Sequence, residues 1–358
     1  MDFDLTEDQN ALQGLARDIF AGHATLARIE QIEASEDRFD ATLWSALGEA
    51  GLLGVCIPEE QGGLGFGLVE LALVLEEFGR AVAPLPLAWS SIATAFIASA
   101  GDGSQRTKWL PALADGSLIA TITLAQCSHE LELTGVELSG TISTVASAHL
   151  AGLVLAPVAG EVYAFDPRHP GITHEQVLTT GNEIHAVLTL SKVAAERVGS
   201  NAAQALADRS TIVFGAIQAG VTAGALKLTA EYTSERVQFD KPLSTFQGVA
   251  LKAADAYVDV SAVRYTALQA AWRVDQGYES TAELFAAAWW AAEGGQHAVH
   301  ITQHLHGGMG ADITYPVHRY FLWAKQIELQ LGGASAILAA LGDALPSLPN
   351  AGDELVLA

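Results

Sequence analysis

Apolar residues recur at helical spacing from Thr6 to about Ala100, as in Leu12, Leu15, Ala16, Ile19 and Phe20, and that period predicts a helical region. The run Ile57-Pro-Glu-Glu-Gln-Gly-Gly-Leu-Gly65 interrupts it, because Gly62, Gly63 and Gly65 within four residues demand a turn. After Pro111 and Gly116 the period shortens. Ile119–Leu124, Gly152–Leu155, Val162–Phe165 and Ala186–Leu190 are short β-prone runs separated by Gly, Asp and Pro. The helical period returns at about Ala202 and continues with few breakers to Leu345. The predicted organisation is an N-terminal helical domain (1–118), a small β domain (119–196), a helical bundle (202–345) and a tail (346–358). Helices, then strands, then helices exclude a doubly wound sheet, which needs alternation, and no GxGxxG or P-loop sequence is present. The predicted class is α+β.

Composition narrows this picture. A chain of 358 residues suffices for two or three domains. Half of the residues are hydrophobic and 16% charged, with a net charge of −23, which describes a compact protein with an acidic surface. So little basic charge leaves no face for general binding of nucleic acid or an anionic membrane. The acidic start, Met1-Asp-Phe-Asp4, is unlike a targeting peptide, and a cytoplasmic location is expected. The apolar stretch Leu85–Ala100 is interrupted by Ser90, Ser91, Thr94 and Ser99 and reads as a buried helix. Cys56 and Cys127 match no metal or redox spacing and read as buried thiols. His297, His300, His304 and His306 place pairs on one helix face, but without a carboxylate cluster no metal site is expected. Trp289 and Trp290 read as helix packing, with contact to a substrate tail as the other reading.

Three segments together resemble the acyl-CoA dehydrogenase family. The first is Trp44-Ser-Ala-Leu-Gly-Glu-Ala-Gly-Leu-Leu-Gly-Val-Cys-Ile-Pro-Glu-Glu-Gln-Gly-Gly-Leu-Gly65, continuing to Glu76-Glu-Phe-Gly-Arg80. The second is Arg236-Val-Gln-Phe-Asp-Lys-Pro-Leu-Ser-Thr-Phe-Gln247, and the third Gln303-His-Leu-His-Gly-Gly-Met-Gly310 followed by Tyr315-Pro-Val-His-Arg-Tyr320. They stand in family order around a β segment and span the chain except the tail. The form of His318–Gly333 further resembles actinobacterial members that act on steroid side-chain CoA thioesters, many of them pairs of unlike subunits. The resemblance implies an N-terminal helical domain, a small β-barrel-like middle domain and a C-terminal four-helix bundle. It implies α,β-dehydrogenation of an acyl-CoA thioester: a carboxylate takes the α-proton, FAD takes the β-hydride, and an electron-transfer flavoprotein or similar acceptor takes the electrons.

By the same resemblance, Arg236, Gln238 and Phe239 reach the pyrophosphate and adenine end of a neighbour's FAD. Arg236 offers a fork for phosphate oxygens, Gln238 a hydrogen bond and Phe239 an apolar face. Gly307 and Gly308 match a helix-end turn whose backbone approaches the same dinucleotide, and His304 stands where the family often has glutamine. All of these serve a neighbour's flavin. The elements serving the chain's own flavin are thinner: the family's middle-domain loop is abridged to Thr123–Thr134, and Gly140–Ala148 lacks the expected tryptophan. Thr123, Gln126 and Ser128 remain as flavin-edge candidates or as ordinary strand polar residues. The usual glutamate position holds Gly332. Asp208 lies a residue or two from the family's other base position and reads first as a charge at a helix N-terminus, with the base as the weaker reading. Glu328 lies one helical turn before Gly332.

Three readings follow. The chain completes the FAD site of a second acyl-CoA dehydrogenase subunit that bears the catalytic glutamate; or it is self-sufficient with a relocated base, Asp208 or Glu328; or it is a non-enzymatic structural or thioester-binding subunit. The surviving donated elements favour the first.

Overall fold

The computed structural model describes residues 3–128 and 130–348. Its N-terminal region comprises α1 (Glu7–His23), α2 (Leu26–Glu33), α3 (Ala41–Glu49), α4 (Leu68–Ala81), α5 (Leu87–Ala100) and α6 (Gly103–Ala114). The helix starts are written locally. Thr6 and Gln9 form a capping box on α1, and Asp40 caps α3 by accepting from the backbone N–H groups of Thr42 and Leu43. Arg28 holds the same Asp40 carboxylate through Nε and Nη2, both at 2.8 Å. The apolar stretch expected as a buried helix is α5, buried from Leu87 to Ile97.

The middle region is two facing four-stranded sheets. It contains β1 (Ala120–Ile122), β2 (Glu132–Thr134), β3 (Glu137–Ala146), β4 (Leu153–Val158), β5 (Glu161–Phe165), β6 (Ile172–Leu178), β7 (Ile184–Ala194) and β8 (Glu196–Arg197). One sheet runs β1-β4-β5-β8 and the other β2-β3-β7-β6, all pairs antiparallel except β1 with β4. Leu138, Ile142, Val154, Phe165, Leu188 and Val193 fill the space between them. The four expected β runs fall in β1, β4, β5 and β7. No run announced β3, whose alternation is broken by register shifts at Leu138/Gly140 and Ile142/Val145, nor β6, which is exposed after Ile172.

The C-terminal region contains α7 (Ala203–Glu235), a hairpin of β9 (Val237–Gln238) and β10 (Lys241–Pro242), then α8 (Gln247–Asp275), α9 (Thr281–Trp289), α10 (Gly295–Leu305), α11 (Val317–Gln330) and α12 (Ala334–Ala344). Helices α7, α8, α10 and α11 form a four-helix bundle. The 33-residue α7 is long and apolar enough to cross a membrane, but 67% of its apolar window is buried inside the fold. It lies backbone to backbone against α4: a Cβ at Gly220 would sit 1.9 Å from the Glu76 carbonyl oxygen, so only glycine permits the crossing. Asp275, at the end of α8, accepts from Leu68 N at 3.0 Å and Val69 N at 3.1 Å, capping α4 from a distant helix. A π turn at Trp290–Gly294 joins α9 to α10, and Trp289 and Trp290 meet edge to face at 5.1 Å. Of the predicted tail, Leu345–Ser347 forms a 3-10 turn, and residues from 349 on lie outside the described residues.

Candidate active site

The N-terminal region, the middle region and the bundle meet where Trp89 of α5, Ile122 of β1, Thr144 of β3, His185 of β7 and Gln330 of α11 face one space. A cavity of about 380 Å³ lies there, walled by Trp89, Ile122, Leu124, Thr144, His185 and Gln330 among others. A second, smaller space of about 60 Å³ lies among Phe78, Phe214, Ile217 and Trp323, with Arg38, His149 and Glu183 also on its wall. Trp89, Gln326 and Gln330 border both spaces. The partition is a hydrogen-bonded cluster centred on Glu183. Trp89 Nε1 donates to Glu183 Oε1 at 2.9 Å, and Gln326 Nε2 donates to Glu183 Oε2 at 2.6 Å. Gln326 Oε1 accepts from Thr179 Oγ1 and Gly181 N, both at 2.6 Å. His185 Nε2 lies 3.0 Å from Glu183 Oε2, and His185 Nδ1 lies 2.7 Å from Thr144 Oγ1. Glu183 and His185 carried no signal in the sequence, because the partners that give them meaning come from α5, β3 and α11.

The polar residues of the abridged loop are engaged within the chain. Thr123 Oγ1 donates to the Thr144 carbonyl at 3.2 Å, Ser128 Oγ to the Pro157 carbonyl at 2.7 Å and Gln126 Nε2 to the Gln330 carbonyl at 3.4 Å. His129, in the same stretch, lies outside the described residues. Cys127 is half-buried beside the cavity and Cys56 half-buried in the N-terminal region, less enclosed than the buried thiols expected. Burial pushes both thiols up in pKa.

Gly332 follows α11 with φ +93°, Gly333 follows with φ +84°, and a Cβ on either would meet no atom within 4 Å. Glu328 turns to Lys325, whose Nζ lies 2.5 Å from its carboxylate, and borders neither the cavity nor the smaller space. Asp208 borders a different cavity, of about 690 Å³, among Tyr278, Thr281, Phe285 and Ile337. It accepts from Gln204 Nε2 at 2.8 Å, and burial raises its pKa.

The residues expected to serve a neighbour lie at the opposite end of α7. The β9–β10 hairpin turns through Phe239 (φ +53°) and Asp240 (φ +64°), which leaves Phe239 84% exposed. Arg236 and Gln238 are exposed beside it, Gln238 Nε2 donating to the Val237 carbonyl. His304, Gly307 and Gly308 are exposed at the end of α10; Gly307 has φ +58°, and the Cβ positions of both glycines are open. His306 joins the two groups, which the sequence reading did not foresee. It is buried, shares a 2.8 Å hydrogen bond from Nδ1 to the Thr302 carbonyl and stacks on Tyr232 with ring centroids 4.6 Å apart. Tyr232 lies one helical turn before Arg236, so this stack fixes the α10 turn against the root of the hairpin. Burial lowers the His306 pKa, which favours the neutral ring. Of the other histidines considered for metal, His297 Nδ1 lies 2.7 Å from the Asp259 carboxylate and His300 packs on Phe321. No group of three or more His, Cys, Asp or Glu side chains suited to a metal occurs among the described residues.

Helices flanking a two-sheet module, with a cleft where module and bundle meet, define the acyl-CoA dehydrogenase fold. The comparisons agree: residues 6–117 match the acyl-CoA dehydrogenase N-terminal domain and residues 197–342 the C-terminal domain. The chain is 36% identical to acyl-CoA dehydrogenase FadE27 of Mycobacterium tuberculosis over 98% of this chain and all of that protein. Among solved structures it is similar to the Tcur3481-Tcur3483 steroid ACAD G363A variant (42% identity, TM-score 0.91, covering 95% of this chain and 98% of that one). It is likewise similar to the ChsE4-ChsE5 complex from Mycobacterium tuberculosis (35% identity, TM-score 0.91, covering 98% and 100%). The chain belongs to the acyl-CoA dehydrogenase family, FAD-dependent oxidoreductases of acyl-CoA thioesters. FAD fits its two ends unequally. At the hairpin, an exposed guanidinium, an aromatic face and open glycine backbone suit a dinucleotide, whereas at the cavity Thr123, Gln126 and Ser128 are spent on carbonyls of the chain itself.

Proposed function

We propose that this chain is one subunit of a heteromeric acyl-CoA dehydrogenase, a heterotetramer in which it completes the FAD site of an unlike subunit that carries the glutamate base. The observation that carries this reading is the contrast between its two ends: the donated surface is open, while the chain's own cleft is divided by a partition built on Glu183, and Gly332 stands where the family resemblance leads one to expect the base. The similarity to a ChsE4-ChsE5 complex and to a Tcur3481-Tcur3483 steroid ACAD supports unlike pairing and a bulky acyl-CoA thioester of the steroid side-chain type as substrate. The net charge of −23 supports a complex without nucleic-acid or anionic-membrane partners.

In this reading Arg236 holds phosphate oxygens of the partner's cofactor through its planar fork, with Gln238 adding a hydrogen bond. Phe239 covers an apolar part of the dinucleotide and excludes water there, and the Gly307–Gly308 backbone, with His304 beside it, admits the chain of phosphates at close range. When bound, FAD accepts the hydride leaving the β-carbon, and an electron-transfer flavoprotein or similar acceptor removes the electrons. The α-proton goes to the partner's glutamate, because Gly332 has no side chain to hold it.

The test is purification of the chain alone and after co-expression with a glutamate-bearing family member. Alone it is expected to carry little flavin absorbance and no dehydrogenase activity, and the complex to show both. Arg236→Ala is expected to lower the FAD-to-chain ratio of the complex by about tenfold, the scale of one charge-assisted phosphate contact. Full activity of the lone chain, or unchanged flavin content in the variant, overturns the reading.

A further inference from the structure

We propose that the 380 Å³ cavity is a second chemical site, in which Thr144, His185 and Glu183 hydrolyse small uncharged esters and thioesters by acyl transfer. The hydrogen-bond network fixes the direction of the relay. A carboxylate only accepts, and Glu183 is surrounded by the N–H groups of Trp89 and Gln326 together with His185 Nε2, so the proton of a neutral His185 sits on Nε2. Nδ1 is then an acceptor, 2.7 Å from the Thr144 hydroxyl that donates to it. This order of hydroxyl, imidazole and carboxylate activates a nucleophile.

The fold supports the arrangement independently. Thr144 lies within the β3 register shift between Ile142 and Val145, an irregularity that re-aims a side chain out of the regular ladder. Thr144 borders the cavity and His185 is buried behind it. Ile122, Leu124, Leu178 and Leu329 provide an apolar seat for an acyl group, and among the described residues no lysine or arginine lines the cavity, which suits an uncharged substrate. Gln330 borders the same space and carries a side-chain carboxamide of the kind that donates to a developing oxyanion.

The reaction balances with water as the only co-reactant. Thr144 Oγ1 attacks the acyl carbonyl while its proton passes to His185 Nδ1. Collapse of the tetrahedral intermediate breaks the C–O or C–S bond, and the leaving alkoxide or thiolate takes that proton. Water, deprotonated by the same nitrogen, then attacks the acyl-threonine; the acid leaves, and the proton returns to the Thr144 oxygen. No flavin takes part, so this activity stands or falls apart from the dehydrogenase reading.

The test uses the purified full chain with p-nitrophenyl butyrate and with S-butyryl-N-acetylcysteamine, following product release by chromatography. The wild type is expected to exceed the buffer rate, and Thr144→Val and His185→Gln to lower its excess rate at least about 100-fold. Cys127→Ala, which removes the thiol bordering the same cavity, is expected to keep the wild-type rate. Mass spectrometry of the quenched reaction should place the butyryl adduct on the Thr144 peptide. If Thr144→Val fails to fold by circular dichroism, Thr144→Ser, which retains the hydroxyl, must keep at least the wild-type rate. A wild-type rate equal to buffer, full activity in a folded Thr144→Val or His185→Gln, loss in Thr144→Ser, or an adduct on Cys127 overturns the proposal.

Discussion

Gly332→Glu puts a carboxylate where the sequence resemblance leads one to expect the family's base, and the structure sets both its cost and its expected futility. The backbone there has φ +93°, a conformation that strains an L-residue by about 1–3 kcal/mol. Loss of glycine's extra freedom in the unfolded chain returns about 0.5–1 kcal/mol. A Cβ meets nothing within 4 Å, so no overpacking is added, and a carboxylate in open space has little desolvation to overcome. The net loss should lie between about 0 and 2.5 kcal/mol, measured as a shift in the urea unfolding curve of the lone chain. Dehydrogenase activity of the variant, followed with an artificial electron acceptor and a CoA thioester that the complex oxidises, should remain at background. The Glu183 cluster still divides the cleft, and Thr123, Gln126 and Ser128 remain bonded to backbone carbonyls. Turnover by the lone variant, with flavin retained, would refute this reasoning, because the base alone would then have been missing.

Two further outcomes test separate parts of the structure. Gly308→Leu introduces a side chain into open space without a left-handed backbone, so the chain should fold normally while the co-expressed complex loses FAD; retained flavin would remove this turn from the cofactor surface. Asp40→Asn should lower the melting temperature at neutral pH by weakening the bonds to Arg28. The hydrogen bonds from Arg28 lead the effects that hold the Asp40 pKa below its ordinary value, so its contribution is present above about pH 4 and disappears as pH falls through the lowered folded value. Wild type and variant should therefore converge in acid, and a gap that persists below that range would contradict the assignment.

The order of helices, strands and helices was legible in the sequence, because helical and strand periods are written in neighbouring residues. The sequence also carried the family, through three segments whose residue types survive at fixed spacing, and it made Gly332 the position to test for a missing carboxylate. It did not determine β3 and β6: bulges and exposure erased their alternation, and pairing with β7 made them strands. The four histidines shared helical spacing, yet only tertiary packing decided that His297 meets Asp259, His300 meets Phe321 and His306 stacks on Tyr232. The partition of the cleft is the plainest case. Trp89, Thr144, Glu183, His185 and Gln326 come from α5, β3, β7 with the turn before it, and α11, and only Glu183 and His185 are near in sequence. A hydrogen bond depends on distance and direction in space, so no local pattern of residues announced that this carboxylate would find its donors.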